Sequence, residues 1–143
     1  MVDYPQPFSR LLHQTAHAWR LAVDRRLKEN DLSMSSWMAI ASVATASQPL
    51  TQKALAQQLG LEDASVVPLV DRLVKQQLLA RLQTPEDRRK RLLVLTTQGE
   101  QAFTQVKAQA DALRSQLLAD IDPAALAVTE TVLQQLLNRL GSA

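Results

Sequence analysis

A mostly α-helical fold carrying one small β-hairpin is predicted by three features of this sequence. Apolar residues recur at spacings of three and four over most of the 143 positions. That periodicity stops in one place, where two short apolar runs, 78–82 and 92–96, flank a polar stretch containing Pro85 and four consecutive basic residues, Arg88 to Arg91. The composition, 46% hydrophobic and 21% charged with six Pro and three Gly, belongs to a folded globular chain and not to a disordered one. The length suits a single domain with its own core.

The elements follow in order. Phe8, Leu11, Leu12, Thr15, Trp19, Ala22, Val23 and Leu27 define one long amphipathic helix over about 8–29, closed by Asn30 and Asp31. Ser33 is a suitable N-cap for a second helix, about 34–46, whose Trp37, Ile40, Ala41, Val43 and Ala44 imply burial on most sides. Gln48-Pro49 ends it. Thr51 caps a short third helix to about Gln58, with Ala54, Leu55 and Leu59 inward and Gly60 as its stop. After Leu61-Glu62, a fourth helix over about 63–76 sets Val66, Leu69, Val70, Leu73 and Val74 on one face and Val67, Pro68, Asp71, Arg72 and Lys75 on the other. Two helices joined by so short a turn are a helix-turn-helix candidate. The hairpin comes next, although Leu is a weaker strand former than Val or Ile. Thr96 or Thr97 caps a fifth helix in which Phe103, Val106, Ala110, Leu113 and Leu117 keep a strict three-four spacing. Asp122-Pro123 opens a sixth, bearing Leu126, Leu133, Leu136, Leu137 and Leu140, with Pro at a first position where no N–H is missed. There is no internal repeat and no low-complexity segment.

Several function classes are excluded. Zero cysteines removes disulfides, thiolate metal sites, cysteine nucleophiles and thiol-based peroxide sensing. No apolar stretch approaches the roughly 20 residues of a membrane span. The first ten residues lack a basic segment followed by an apolar run, so no secretory signal is expected and the chain reads as cytoplasmic. There is no Gly-rich phosphate loop and no Gly-x-Ser-x-Gly elbow, and an enzyme is not expected. His13 and His17 stand four apart, a spacing used in zinc sites, but the nearest acidic residue in sequence is Asp24. No metal and no cofactor are predicted.

The net charge of +2 is slight, yet its distribution is informative. From Glu62 to Arg91 seven basic residues (Arg72, Lys75, Arg81, Arg88, Arg89, Lys90, Arg91) face five acidic ones, whereas from Leu92 onward there are three against five. Helix, turn, helix and then a hairpin with a basic tip is the order of a winged-helix DNA-binding domain. A helix fits the major groove with its outward side chains at base edges. A thin hairpin reaches neighbouring phosphates or the minor groove, where narrow A·T-rich segments favour Arg. The same architecture also serves as a protein-binding module, and that alternative stays open on these residues.

Leu55-Ala-Gln-Gln-Leu-Gly60, Val70-Asp-Arg-Leu73, Leu78-Leu-Ala-Arg81 and Pro85-Glu-Asp-Arg-Arg-Lys-Arg-Leu-Leu-Val-Leu-Thr-Thr-Gln-Gly99 resemble the signature of the MarR family of bacterial transcriptional regulators. Trp19, Asp24-Arg-Arg-Leu27 and Leu32-Ser-Met-Ser-Ser-Trp37 resemble its SlyA-like branch. The resemblance runs from about residue 8 to 140. It implies a single domain over 1–143, with a winged-helix lobe at about 32–97 and dimerisation helices at about 8–30 and 98–140. It further implies a homodimer on double-stranded DNA, acting as a repressor or anti-repressor at a pseudo-palindromic operator. The apolar stripes agree independently, because three long helices flanking a small lobe have more apolar face than that lobe can cover. A monomer with those helices packed among themselves is the alternative.

Carried over position by position, Glu62 to Lys75 becomes the recognition helix, with Asp63, Ser65, Val67, Pro68, Arg72 and Lys75 towards DNA. Thr51 and Gln52 would touch backbone phosphates. Arg89 would enter the minor groove, Arg88 would meet phosphate or Asp87, Asp87 would fix the wing turn, and Lys90 and Arg91 complete the basic tip. Two departures stand out. Gln77 occupies a position usually held by Gly, so the helix before the wing must turn without its customary cap. Pro68 occupies a groove-facing position often held by a basic residue, and with Val67 it makes the centre of the reading face apolar, which suits thymine methyl groups better than guanine. The resemblance also implies a small aromatic or phenolic ligand, for which Trp19 and Trp37 beside Arg10 or His13 are the candidate site. Ordinary core packing is the competing role for both indoles.

Overall fold

The computed structural model describes residues 7–83, 85–86 and 91–141. Six α-helices and three short strands follow in the order α1 (Phe8–Leu27), α2 (Met34–Thr45), β1 (Leu50–Thr51), α3 (Gln52–Leu59), α4 (Asp63–Lys75), β2 (Leu79–Gln83), β3 (Arg91–Leu95), α5 (Thr97–Leu118) and α6 (Pro123–Gly141). The predicted mostly helical class with a β wing is the observed one. Compact packing divides the chain into residues 1–111 and 112–143, a boundary inside α5.

In the first unit, one short-range contact after another sets the helix ends. A single 3-10 turn, Lys28–Asn30, follows α1, and Asp31 adopts a left-handed conformation (φ 57°) to reverse the chain. The Ser33 hydroxyl accepts from the Ser36 N–H at 3.1 Å, the predicted cap of α2. Asp24 adds a contact that local sequence does not announce: its carboxylate accepts from the Met34 N–H at 2.6 Å, tying α1 to the first turn of α2. Thr51 caps α3 by accepting from the Ala54 N–H at 3.0 Å.

The ends of α3 and α4 are built alike. Leu61 donates to the Ala56 carbonyl and Gly60 to that of Gln57, and Leu78 donates to the Leu73 carbonyl and Gln77 to that of Val74. Each pair is a Schellman closure whose pivot residue is left-handed, with φ of 67° at Gly60 and 64° at Gln77. Gln77 therefore makes the turn of the missing glycine, at the steric cost a Cβ carries there.

The strands form an antiparallel sheet in the order β1-β3-β2. The hairpin register pairs Leu79 with Leu95, Arg81 with Leu93 and Gln83 with Arg91, and β1 adds Leu50 opposite Leu93 and Thr51 opposite Leu92. The predicted runs 78–82 and 92–96 are displaced by one residue: Leu78 belongs to the turn out of α4, and Thr96 leaves β3 to accept at the start of α5. Strand β1 was not predicted. The core of the unit comprises Val23, Leu27, Leu32, Ala39, Ile40, Leu55, Ala56, Val66, Val70, Leu73, Leu79, Leu93 and Val106. Gly99 is buried against the wing base, where a Cβ would stand 2.0 Å from the Leu78 carbonyl oxygen, so only glycine lets α5 approach this closely.

The second unit holds the end of α5 and all of α6. None of the α6 residues is buried, and Val128, Val132, Leu133, Leu137 and Leu140 are exposed. No described helix is long and apolar enough to cross a membrane.

Candidate nucleic-acid interface

Helix α4 presents two unlike faces because its apolar residues follow the helical period. Val66, Val70 and Leu73 are buried, while Asp63, Ala64, Ser65, Val67, Pro68, Asp71, Arg72 and Lys75 are exposed. The predicted division of the helix is thus observed, with Leu69 and Val74 half-buried at the border. Pro68 sits inside the helix and has no N–H for the Ala64 carbonyl. Arg72 and Lys75 lie in its last turn, where cations suit the negative end of the helix dipole. Beside them, Asp24, Lys28, Asp31, Ser33 and Gln76 line a cavity of about 590 Å³.

A side chain to which the sequence reading gave no role organises this face. Arg81, on β2, donates from Nε to the Gln52 amide oxygen at 2.8 Å and from Nη2 to the Asp71 carboxylate. One guanidinium thereby joins the first residue of α3, the outer face of α4 and the wing strand. Its planar fork of donors is what makes three-way bracing by one residue feasible. The signal was present: an Arg in the otherwise apolar run Leu78–Leu82 needs a polar partner when half-buried. Of the two predicted phosphate contacts, Thr51 is the helix cap already described, and the Gln52 oxygen is turned to Arg81.

Arg91 is exposed and opens β3 opposite Gln83, whose amide oxygen, suitably oriented, accepts from the guanidinium at 2.6 Å. Among the described residues it stands at the last paired position of the hairpin. The predicted roles of Asp87, Arg88, Arg89 and Lys90 lie outside the described residues.

Of the four residues proposed for a ligand, Arg10, His13 and Trp19 lie on α1 and Trp37 on α2. Trp37 stacks on Phe103, with centroids 5.6 Å apart and planes 16° from parallel, a packing role. Trp19 is half-buried, and Arg10 and His13 are exposed. Arg10 and Trp19 are nine positions apart, which at about 100° per residue is half a turn around α1, whereas Arg10 and His13, three apart, share a face. A different cavity, of about 230 Å³, is lined by Ala16, Arg20, Met34, Ser35, Met38, Leu59 and Leu61, and Arg20 donates to the Ser35 hydroxyl across 3.3 Å. His17 is exposed like His13, and among the described residues no group of three or more His, Cys, Asp or Glu side chains could hold a metal ion.

Known proteins share this arrangement. The MarR family profile matches residues 32–90, the stretch from the start of the lobe into the wing. The transcriptional regulator PA3341 is 35% identical, with a TM-score of 0.86 over 96% of this chain and 100% of that one. CouR from Rhodococcus jostii RHA1, solved with p-coumaroyl-CoA, superposes with a TM-score of 0.83 at 24% identity, covering 92% of both chains. The S. aureus MepR–DNA complex gives 0.86 at 20% identity over 94% of this chain and 99% of that one. The last two establish the fold alone. The family match inside a transcriptional regulator that is 35% identical over the whole chain settles membership: this chain belongs to the MarR family.

Proposed function

We propose that this regulator binds a pseudo-palindromic operator as a homodimer, placing α4 in the major groove of each half-site. The observation that carries the reading is the outer face of α4, exposed over its whole length and braced by Arg81 to the wing and to α3. Asp63, Ser65, Val67, Pro68, Arg72 and Lys75 meet the groove. Thr51 and Gln52 approach phosphates from the start of α3, and Arg88, Arg89, Lys90 and Arg91 extend the contact along the wing, with Arg89 in the minor groove.

The dimer is supported by the apolar residues that α1 and α6 leave in water: Phe8, Leu11, Leu12 and Leu21 on one, Val128, Val132, Leu133, Leu137 and Leu140 on the other. Exposed apolar faces of this kind normally mark interfaces. Residues 8–30 and 98–140 form the dimerisation helices of a single domain, and a second copy covers them. Trp19, Asp24 and the Leu32–Trp37 corner, where Asp24 and Ser33 cap α2, support placement in the SlyA-like branch.

A small aromatic or phenolic acid modulates binding. The cavity beside Arg20 supports this, since it offers a cation, a hydroxyl and two methionines against an otherwise apolar wall. CouR, with its bound p-coumaroyl-CoA, is an instance of an aromatic acyl ligand on this fold.

The test is selection of bound sequences from random duplex DNA with the purified full chain. A palindrome with half-sites about 10 to 10.5 base pairs apart is expected, with affinity falling by several powers of the salt concentration. No enrichment would overturn the reading in favour of a protein-binding winged helix.

A further inference from the structure

Six consecutive residues of the recognition helix, Val66 to Asp71, contain no side-chain hydrogen-bond donor at neutral pH. Three of them are exposed: Val67, at 41% of its full area, Pro68 and Asp71. The Asp71 carboxylate is held by Arg81 Nη2, while the Nε of that guanidinium is engaged by Gln52. The flanking donors on α4 are the Ser65 hydroxyl and the Arg72 guanidinium. Seven residues separate them, about 10 Å along the helix, or roughly three base-pair steps.

Pro68 contributes a second restriction. It has neither a side-chain donor nor a backbone N–H, and with Val67 it forms an apolar ridge about 100° wide at the centre of the outward face. A G·C pair facing this ridge presents guanine N7 and O6, two acceptors that nothing on the ridge can satisfy. An A·T pair also leaves adenine N7 and thymine O4 unpaired there, but it adds the thymine 5-methyl group, which an apolar ridge covers favourably. The cations Arg72 and Lys75, one turn further on, match the polyanion that carries those bases.

We infer that the Val67–Pro68 ridge reads the 5-methyl group of thymine, making each operator half-site obligately T-containing at the position under the centre of α4. This inference rests on the DNA-binding reading above and adds to it the chemical group that is recognised. Specificity at this position is positive, because the ridge leaves base acceptors unpaired in either kind of pair and only thymine offers a methyl group for it to cover.

The test uses duplexes recovered by selection from random DNA, resynthesised with deoxyuridine replacing thymidine at one position at a time in both half-sites. Deoxyuridine keeps the pairing and removes only the methyl. One buried methyl is worth about a fourfold change in affinity, and two symmetric half-sites about fifteenfold. The inference expects one such position, and it expects Val67→Ala with Pro68→Ala to bind the thymidine and deoxyuridine duplexes almost equally. This variant should fold, since both sites are exposed and replacing a mid-helix Pro by Ala favours the helix; circular dichroism checks it. Tight binding with no deoxyuridine-sensitive position would overturn the inference and leave DNA binding standing. An unchanged deoxyuridine penalty in the variant would also overturn it, by assigning the methyl contact to other residues. Failure of selection to enrich any sequence would remove the DNA-binding reading itself, and this inference with it.

Discussion

Helices α4 and α6 are both amphipathic, yet α4 buries Val66, Val70 and Leu73 against its own lobe, whereas α6 has no buried residue and leaves Leu137 65% and Leu140 68% exposed. The difference separates two kinds of stability in one chain. The first unit closes a core in which α2, α3 and α4 pack on the sheet together with Val23 and Leu27 of α1 and Val106 of α5, with caps at Ser33 and Thr51 and a guanidinium brace across its outer face. Helix α6, and the outward residues Phe8, Leu11, Leu12 and Leu21 of α1, carry apolar side chains without that closure. On the proposed function a second copy of the chain covers them, and the same association would deliver two recognition helices to one DNA duplex.

Perturbing each side of this comparison should give distinct signatures. The largest effect is expected from Leu133→Asp with Leu137→Asp, which places charge in the α6 stripe. The variant should sediment as a monomer, keep the helical content of the lobe, and lose about 10²–10⁴-fold in operator affinity as two-site engagement is lost. Gly99→Ala strikes the lobe instead. Its Cβ would meet the Leu78 carbonyl, a backbone atom that cannot swing aside, and chemical denaturation should register a loss of about 1–3 kcal/mol.

A change of opposite sign follows from the twin helix closures. Gly60 and Gln77 make the same turn at nearly the same φ, but only Gln77 carries a Cβ. Gln77→Gly should therefore raise stability by about 1 kcal/mol, read as a higher denaturation midpoint, with no change in oligomeric state. The smallest stability effect belongs to Arg81→Ala. The Arg81–Asp71 pair is 26% and 58% exposed, so its loss should cost at most about 1 kcal/mol. DNA binding should suffer more than stability, because Asp71 would then face phosphate without its partner, and titration of operator duplex at low and moderate salt measures the difference.

Much of this was readable in the residues because it is local. The helices follow three-four periodicity, and the caps at Ser33 and Thr51 and the stop at Gly60 are encoded within a few positions of the turns they make. Features that depend on distant partners were not readable. Strand β1 is two residues long and exists only because Leu50 and Thr51 meet Leu93 and Leu92, forty residues on. Its Thr51 announces a helix cap and conceals the strand. The capping of α2 by Asp24 and the brace of Arg81 on Gln52 and Asp71 likewise join separate elements. The packing of the aromatic residues was unreadable for a related reason. Trp37 suits a ligand site in composition, and only packing reveals Phe103 stacked upon it.

The central claim, that the terminal helices are finished by a second copy while the lobe finishes itself, is tested most directly by sedimentation equilibrium of the full chain at micromolar concentration. The account predicts twice the chain mass, with a thermal unfolding midpoint that rises with protein concentration. A well-folded species of single-chain mass, unfolding at a midpoint independent of concentration, would contradict it.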